Sequence, residues 1–219
     1  MVIGGDQLDI SGIVDGRVQI AVILKYLRRL TADTKVLVCS GNHDLDSRNA
    51  DGEKVARWMD KVRRLGIPTD GDSLVHGDTL FTICPWWDGP ATREAVAAQL
   101  ARDAEKPKKH WIWVYHSPPE GSPTSRTHAR SFGDTDLTRW IESFRPDIVL
   151  AGHIHQAPFD GAGGWADRMG STWVFNAGRQ IGPVPTNIVI DLARREAVWS
   201  SLAGRQSVQL DAPSGPSAA

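Results

Sequence analysis

Three apolar runs in this chain end the same way, and that shared ending constrains the fold more than any other feature. "VIGGD", "VLVCSGNHD" and "IVLAGHIH" each pass from strand-like residues into glycine, then into aspartate, asparagine or histidine. A fourth run, "WIWVYHS", reaches His116 without the glycine. In an open α/β sheet the loops beyond the carboxyl ends of the strands converge, and ligands collect there. Glycine at such an ending permits dihedrals other residues avoid, so it can turn the chain and aim the next side chain. His153 and His155 follow Gly152, where the strand is breaking. A turn therefore sets their bearing and can splay them toward two neighbouring ions.

The segments between these runs alternate in period. Val2 to Gly4 reads as a strand, and Ile20, Ile23, Leu24, Leu27 and Leu30 fall on one helical stripe. "KVLVCSG" is a strand. Asp51 is placed to cap a helix carrying Val55, Trp58, Met59, Val62 and Leu65, closed by Gly66 and Pro68. "SLVHGDTLFTICPW" predicts a hairpin around Gly77 and Asp78. A weaker helix is expected over residues 91–104, then a strand at "WIWVY", a long loop from Ser117 to Asp134, and a short helix through Leu137, Trp140, Ile141 and Phe144. "DIVLAG", "STWVFNAG", "TNIVIDL" and "EAVWSSL" read as later strands. The expected organisation is one α/β domain over residues 1–206, long enough to bury a sizeable core, and a disordered polar tail over 207–219.

Composition narrows the partners. A net charge of -1 gives no global basic field, and no basic stripe with interleaved aromatics is visible, which counts against extended nucleic-acid contacts. No signal peptide stands out, and no apolar stretch approaches the roughly 20 residues of a membrane helix. Cys39 and Cys84 lie inside apolar runs and read as buried free thiols. A cytoplasmic setting follows as the expectation.

The candidate ligands are hard oxygen and imidazole, with no thiolate, a set suited to manganese, iron or zinc at a catalytic site. Taken in order, "GDQLDISG", "GNHD", "HSPP" and "GHIH" resemble the calcineurin-like metallophosphoesterases, from Met1 to about Gly178. The resemblance implies a two-sheet β-sandwich flanked by helices and two divalent metal ions. Asp6 would bridge them, Asn42, His116 and His153 would complete one site, and His155 would serve the other. His43 would contact the phosphate and protonate the leaving oxygen, with Asp9 orienting its imidazole. The implied activity is hydrolysis of a small phosphomonoester or phosphodiester, water or hydroxide attacking phosphorus directly. The alternative is a non-catalytic relative that binds a phosphorylated ligand or a partner protein through a half-site. The family's first strand ends in an aspartate-x-histidine motif with no counterpart here. The expectation is therefore a chain lacking its first strand and helix, by truncation or a misplaced start, with natural loss as the other option.

The remaining polar residues have simpler readings. Asp44 and Asp46 read as turn and cap residues, and His76 and His110 as solvated. Arg126, His128 and Arg130 form either a solvated basic loop or a phosphate clamp. Nine tryptophans are many for 219 residues. Of the Trp86–Trp87 pair, one is expected in the core and the other stacked on a leaving group. The 117–134 loop and that pair are expected to select the substrate. Arg179, directly after "NAG", is a candidate to face the cleft.

Overall fold

The structure, a computed structural model, describes residues 1–128 and 130–210. β1 (Val2–Gly4) leads through α1 (Gly16–Leu30) to β2 (Leu37–Cys39), which lies parallel to β1 with Val2 opposite Leu37 and Gly4 opposite Cys39. A ribbon of β3 (Ser47–Arg48) and β4 (Lys54–Val55) precedes α2 (Met59–Arg63). The chain continues through β5 (Ser73–His76), β6 (Thr79–Ile83), α3 (Pro90–Ala104) and β7 (His110–Val114). Next come the short strands β8 (Arg126–Thr127) and β9 (Arg130–Ser131), then α4 (Thr135–Phe144), β10 (Ile148–Ala151), β11 (Ala166–Met169) and β12 (Thr172–Asn176). A meander of β13 (Asn187–Asp191), β14 (Glu196–Ser201) and β15 (Gly204–Gln209) completes the described chain. The central sheet has six strands in the order β11-β12-β10-β7-β6-β5. Its four inner strands run parallel, and the edge strands β11 and β5 are antiparallel.

Period-two alternation builds the layers. Along β7, Trp111 and Trp113 face Val96, Leu100, Leu137 and Ile141 of α3 and α4. Ile112 and Val114 point the other way, Ile112 toward Trp199 of the meander and Val114 toward Leu37 and Cys39. β2 splits likewise, with Val38 turned to α1 and α2. The resulting order is two helices, a layer of small sheets, the six-stranded sheet, and two more helices. This is the two-sheet sandwich flanked by helices that the resemblance implied. Each fully buried aliphatic, such as Leu80 or Val149, contributes roughly 1.5–3 kcal/mol relative to exposure.

Local signals explain the helix ends. Asp15 accepts from the Arg17 N–H at 2.8 Å, and Asp134 accepts from Asp136 and Leu137 at 2.8 and 3.1 Å. Arg145 adopts a left-handed φ of 50° ahead of Pro146 and stops α4.

Two expectations fail. Asp51 caps no helix, because Asn49 Oδ1 takes the Asp51 and Glu53 N–H groups in a turn and Lys54–Val55 pairs as β4. Glu53 is drawn instead to the start of α3, accepting from Ala91 and Thr92 at 2.8 and 2.7 Å. Tertiary demand overrides the stripe there, although Trp58, Met59 and Val62 remain buried on it. The supposed tail is also misplaced at its start, since Ser207, Val208 and Gln209 belong to β15. Val208 and Leu210 pack in the cluster containing Trp173, whose Nε1–H donates to Leu210 O at 2.9 Å. Residues 211–219 lie outside the described residues. No helix among the described residues is long and apolar enough to cross a membrane.

Candidate metal centre and active site

Asp6 follows β1, His116 follows β7 and His153 follows β10. Their ligand atoms all lie within 4.8 Å of one another. The glycines before them act less by turning the chain than by leaving room. Gly5 has a φ of 92°, but Gly41 is extended at −115°. A Cβ at Gly41 would stand 2.2 Å from Asp6 Oδ1 and 2.7 Å from His116 Nε2. One at Gly5 would stand 2.3 Å from His116 Nδ1. The unusual dihedrals fall on two of the ligands themselves, Asp6 at φ 55° and His153 at φ 62°. Non-glycine residues hold that conformation at a cost of order 1–3 kcal/mol, a pattern concentrated at functional sites.

Whether these residues suit a metal is decided by their unpaired atoms. His116 donates its Nδ1 hydrogen to Gly4 O, which leaves the Nε2 lone pair directed at Asp6 Oδ2, 3.1 Å away. His116 Nε2 and Asn42 Oδ1 are both buried without a hydrogen-bond partner. An unsatisfied buried polar atom costs about 1–3 kcal/mol. An unpartnered imidazole nitrogen beside the Asp6 carboxylate, its ring locked by a backbone carbonyl, is the arrangement of a ligand and its support at a divalent cation site. The residues fit the ion.

Electrostatics agree. Burial pushes the Asp6 carboxyl up, but the adjoining His116 ring and the His43 N–H outweigh it and hold it at about 2. Burial, then the neighbouring His116, pushes His153 down to about 4. Burial and the Arg179 charge lower His155. Near neutrality both imidazoles are uncharged, the form that binds metals.

Asp44 is no ligand. It accepts from the Gln7 and Leu8 N–H groups at 3.0 Å each and from Gly41 at 2.8 Å, tying the first two motif loops together. Burial raises its carboxyl to about 6. This is the turn role expected for it.

His43 donates its backbone N–H to Asp6 Oδ1 at 3.0 Å, and its Nδ1 is 4.0 Å from Asp6 Oδ2. Asp9 does not orient it. The Asp9 carboxylate takes the Ser11 N–H at 3.1 Å and the Ser11 hydroxyl, and those bonds hold it below its ordinary range. Gln19 Oε1 accepts the Asp9 N–H at 2.7 Å and fixes this loop. The expected Asp9–His43 pair is therefore absent among the described residues, although both line the cleft. His155 also lines it but stands outside the Asp6–His116–His153 group.

The cleft has a volume of about 520 Å³. Its far wall is the segment after β12, from Asn176 to Gln180, with Pro185 and Thr186. The 117–134 loop and the tryptophan pair, expected to choose the substrate, do not line it. Trp87 joins the core and donates to Tyr115 Oη at 2.7 Å. Trp86 packs its ring against His116 and His153, with centroids at 5.6 and 5.4 Å, backing two ligands instead of meeting a leaving group. Arg126 and His128 stay outside the cleft, His128 held by its N–H to Asp160 Oδ2 at 2.7 Å. Gln7 went unrecognised in the sequence: it lines the cleft with both side-chain atoms buried and unpaired. Only its place between Asp6 and Asp9 could have marked it.

Comparison with known proteins gives the same assignment. The family described as calcineurin-like phosphoesterase matches residues 1–157. Curated proteins gave no match. One crystal structure superposes with a TM-score of 0.52 at 13% identity, covering 89% of this chain and 75% of that one. The crystal structure of TT1561 of Thermus thermophilus does so with a TM-score of 0.52 at 12% identity, covering 90% of this chain and 81% of that one. At such identities the likeness is one of fold. With the matched motifs supplying every member of the metal cluster, the chain belongs to the calcineurin-like phosphoesterases, a family of metal-dependent phosphoesterases.

Proposed function

We propose that this chain hydrolyses a small-molecule phosphomonoester or phosphodiester with divalent metal ions (manganese, iron or zinc) in the cytoplasm. The observation that carries the reading is the buried, unpartnered His116 Nε2, 3.1 Å from Asp6 Oδ2 beside an open cleft. Asp6, Asn42, His116 and His153 would hold one ion, and Asp6 with His155 a second. Such ions supply Lewis acidity at the phosphoryl oxygens. His43, partly exposed at the cleft, is the proton donor: the oxygen of water bonds to phosphorus and gives up a proton to solvent, the ester P–O bond breaks, and the His43 proton goes to the departing oxygen.

One observation favours a second reading, a binding protein with a single ion. His155 stands outside the one cluster of three found among the described residues. The test for both is a manganese-loaded, folded sample offered p-nitrophenyl phosphate, bis(p-nitrophenyl) phosphate and a panel of nucleotide and sugar phosphates. Metal-dependent turnover of at least one is expected. A loaded sample that binds phosphate but turns over none of them overturns the enzyme reading in favour of the binding protein.

A further inference from the structure

Of the cleft's lining residues among those described, Arg179 alone carries a permanent positive charge. Asp6 and Asp9 line the same cleft with carboxylates, so an anionic substrate entering it meets few other fixed cations from the chain. The side chain of Arg179 is exposed, yet its backbone is among the most firmly held parts of the wall. The Arg179 N–H donates to His155 O at 3.0 Å. Gly178 before it has a φ of 67° and sits where a Cβ would come within 2.8 Å of His155 O, so only glycine fits that approach. The Gly178 N–H donates to Asn176 Oδ1 at 2.9 Å, and Gly178 O accepts from Thr186 Oγ1 at 2.7 Å. Asn176, fully buried, fastens the segment further through its amide to Thr124 O and Ile154 O at 2.9 and 3.0 Å. An exposed side chain thus stands on a base fixed to the loop that carries His153 and His155.

Arg179 lines the same cleft as Asp6, His43, His116 and His153, with its side chain exposed. We propose that Arg179 is the cleft's substrate-specificity residue, binding a second anionic group, a carboxylate or another phosphate, on the alcohol side of the phosphoester. A guanidinium matches either anion bidentately, and charge-assisted bonds are about twice as strong as neutral ones.

This inference rests on the proposed phosphoesterase site, but it can be tested by binding alone. The probes are non-hydrolysable: phenylphosphonate, 4-carboxyphenylphosphonate and 1,4-phenylenebis(phosphonate), titrated calorimetrically into the manganese-loaded full chain. Arg179→Ala and Arg179→Lys are compared with wild type, with metal content measured in each. The wild type is expected to bind at least one of the two doubly anionic probes about tenfold more tightly than phenylphosphonate. Arg179→Ala should abolish that preference at unchanged metal content, and Arg179→Lys should keep part of it. Which probe is preferred separates carboxylate from phosphate. No preference in the wild type overturns the inference. So does an equal loss for all three probes in Arg179→Ala, which would place the guanidinium on the reacting phosphoryl group. If no substrate is turned over, the enzyme reading fails while these binding comparisons still decide the role of Arg179.

Discussion

His116 donates its Nδ1 hydrogen to the carbonyl oxygen of Gly4, 112 residues earlier in the chain. One bond fixes the tautomer, the ring orientation and the distance between two strand ends. The space that allows it is set by Gly5 and Gly41. Gly41→Ala is expected to weaken metal binding at least tenfold, because its Cβ would occupy the volume of Asp6 Oδ1 and His116 Nε2. Overpacking of this kind also costs about 1–3 kcal/mol of stability. Metal titration alongside thermal unfolding checks both, and unaltered affinity would show that the loops yield more than these contacts indicate.

The histidines should separate by role. His116→Gln is expected to empty the site, since it removes a ligand atom and the bond to Gly4. His43→Ala should retain metal and lower turnover by about 10²–10⁴. Asp9→Ala should cost less than tenfold, because its carboxylate is held by Ser11 and not by His43. Metal analysis beside steady-state rates distinguishes the three. A loss in Asp9→Ala as large as that in His43→Ala would mean that the two side chains meet once substrate is bound.

Burial raises Asp70 to about 7, although its carboxylate accepts the Ser40 N–H at 2.7 Å. The folded state therefore holds this proton more tightly than the unfolded chain. Its stabilising contribution is complete below about pH 4 and is lost as pH rises through about 7. Asp44, raised to about 6, works in the same direction. His153, lowered to about 4, works against them, adding stability as pH rises toward its ordinary value of about 6.5. The metal-free wild type should accordingly show a shallow profile between about pH 4.5 and 7. Asp70→Asn should gain on it across that interval by about 3 kcal/mol. Urea unfolding in the presence of a chelator reads the difference, and parallel profiles for the two proteins would refute it.

The sequence disclosed what depends on local pattern and strand endings. The runs "WIWVY" and "DIVLAG" were legible as strands, and the strand endings marked Asp6, His116 and His153, whose ligand atoms the structure brings within 4.8 Å of one another. Long-range competition was not legible. Glu53 leaves its own segment to cap α3, and nothing near Asp51 announces that pull. Asp9 looked like a partner for His43 because the motif placed it there, whereas Ser11, two residues on, takes its carboxylate. The cleft wall from Asn176 to Thr186 carries no pattern of its own, and its position comes from a buried asparagine reaching to Thr124 and Ile154.

The metal cluster draws Asp6 from the small β1–β2 sheet and His116 and His153 from the six-stranded sheet, so it straddles two layers joined mainly by apolar contact. An ion held there closes a covalent-like loop of more than a hundred residues, and its binding energy counts toward folding. Affinity for that ion is thereby a gauge of how firmly the layers sit together. A substitution at Leu37, Ile83 or Val114, which meet between the sheets, would register first as a weaker grip on metal, although none of these side chains touches it.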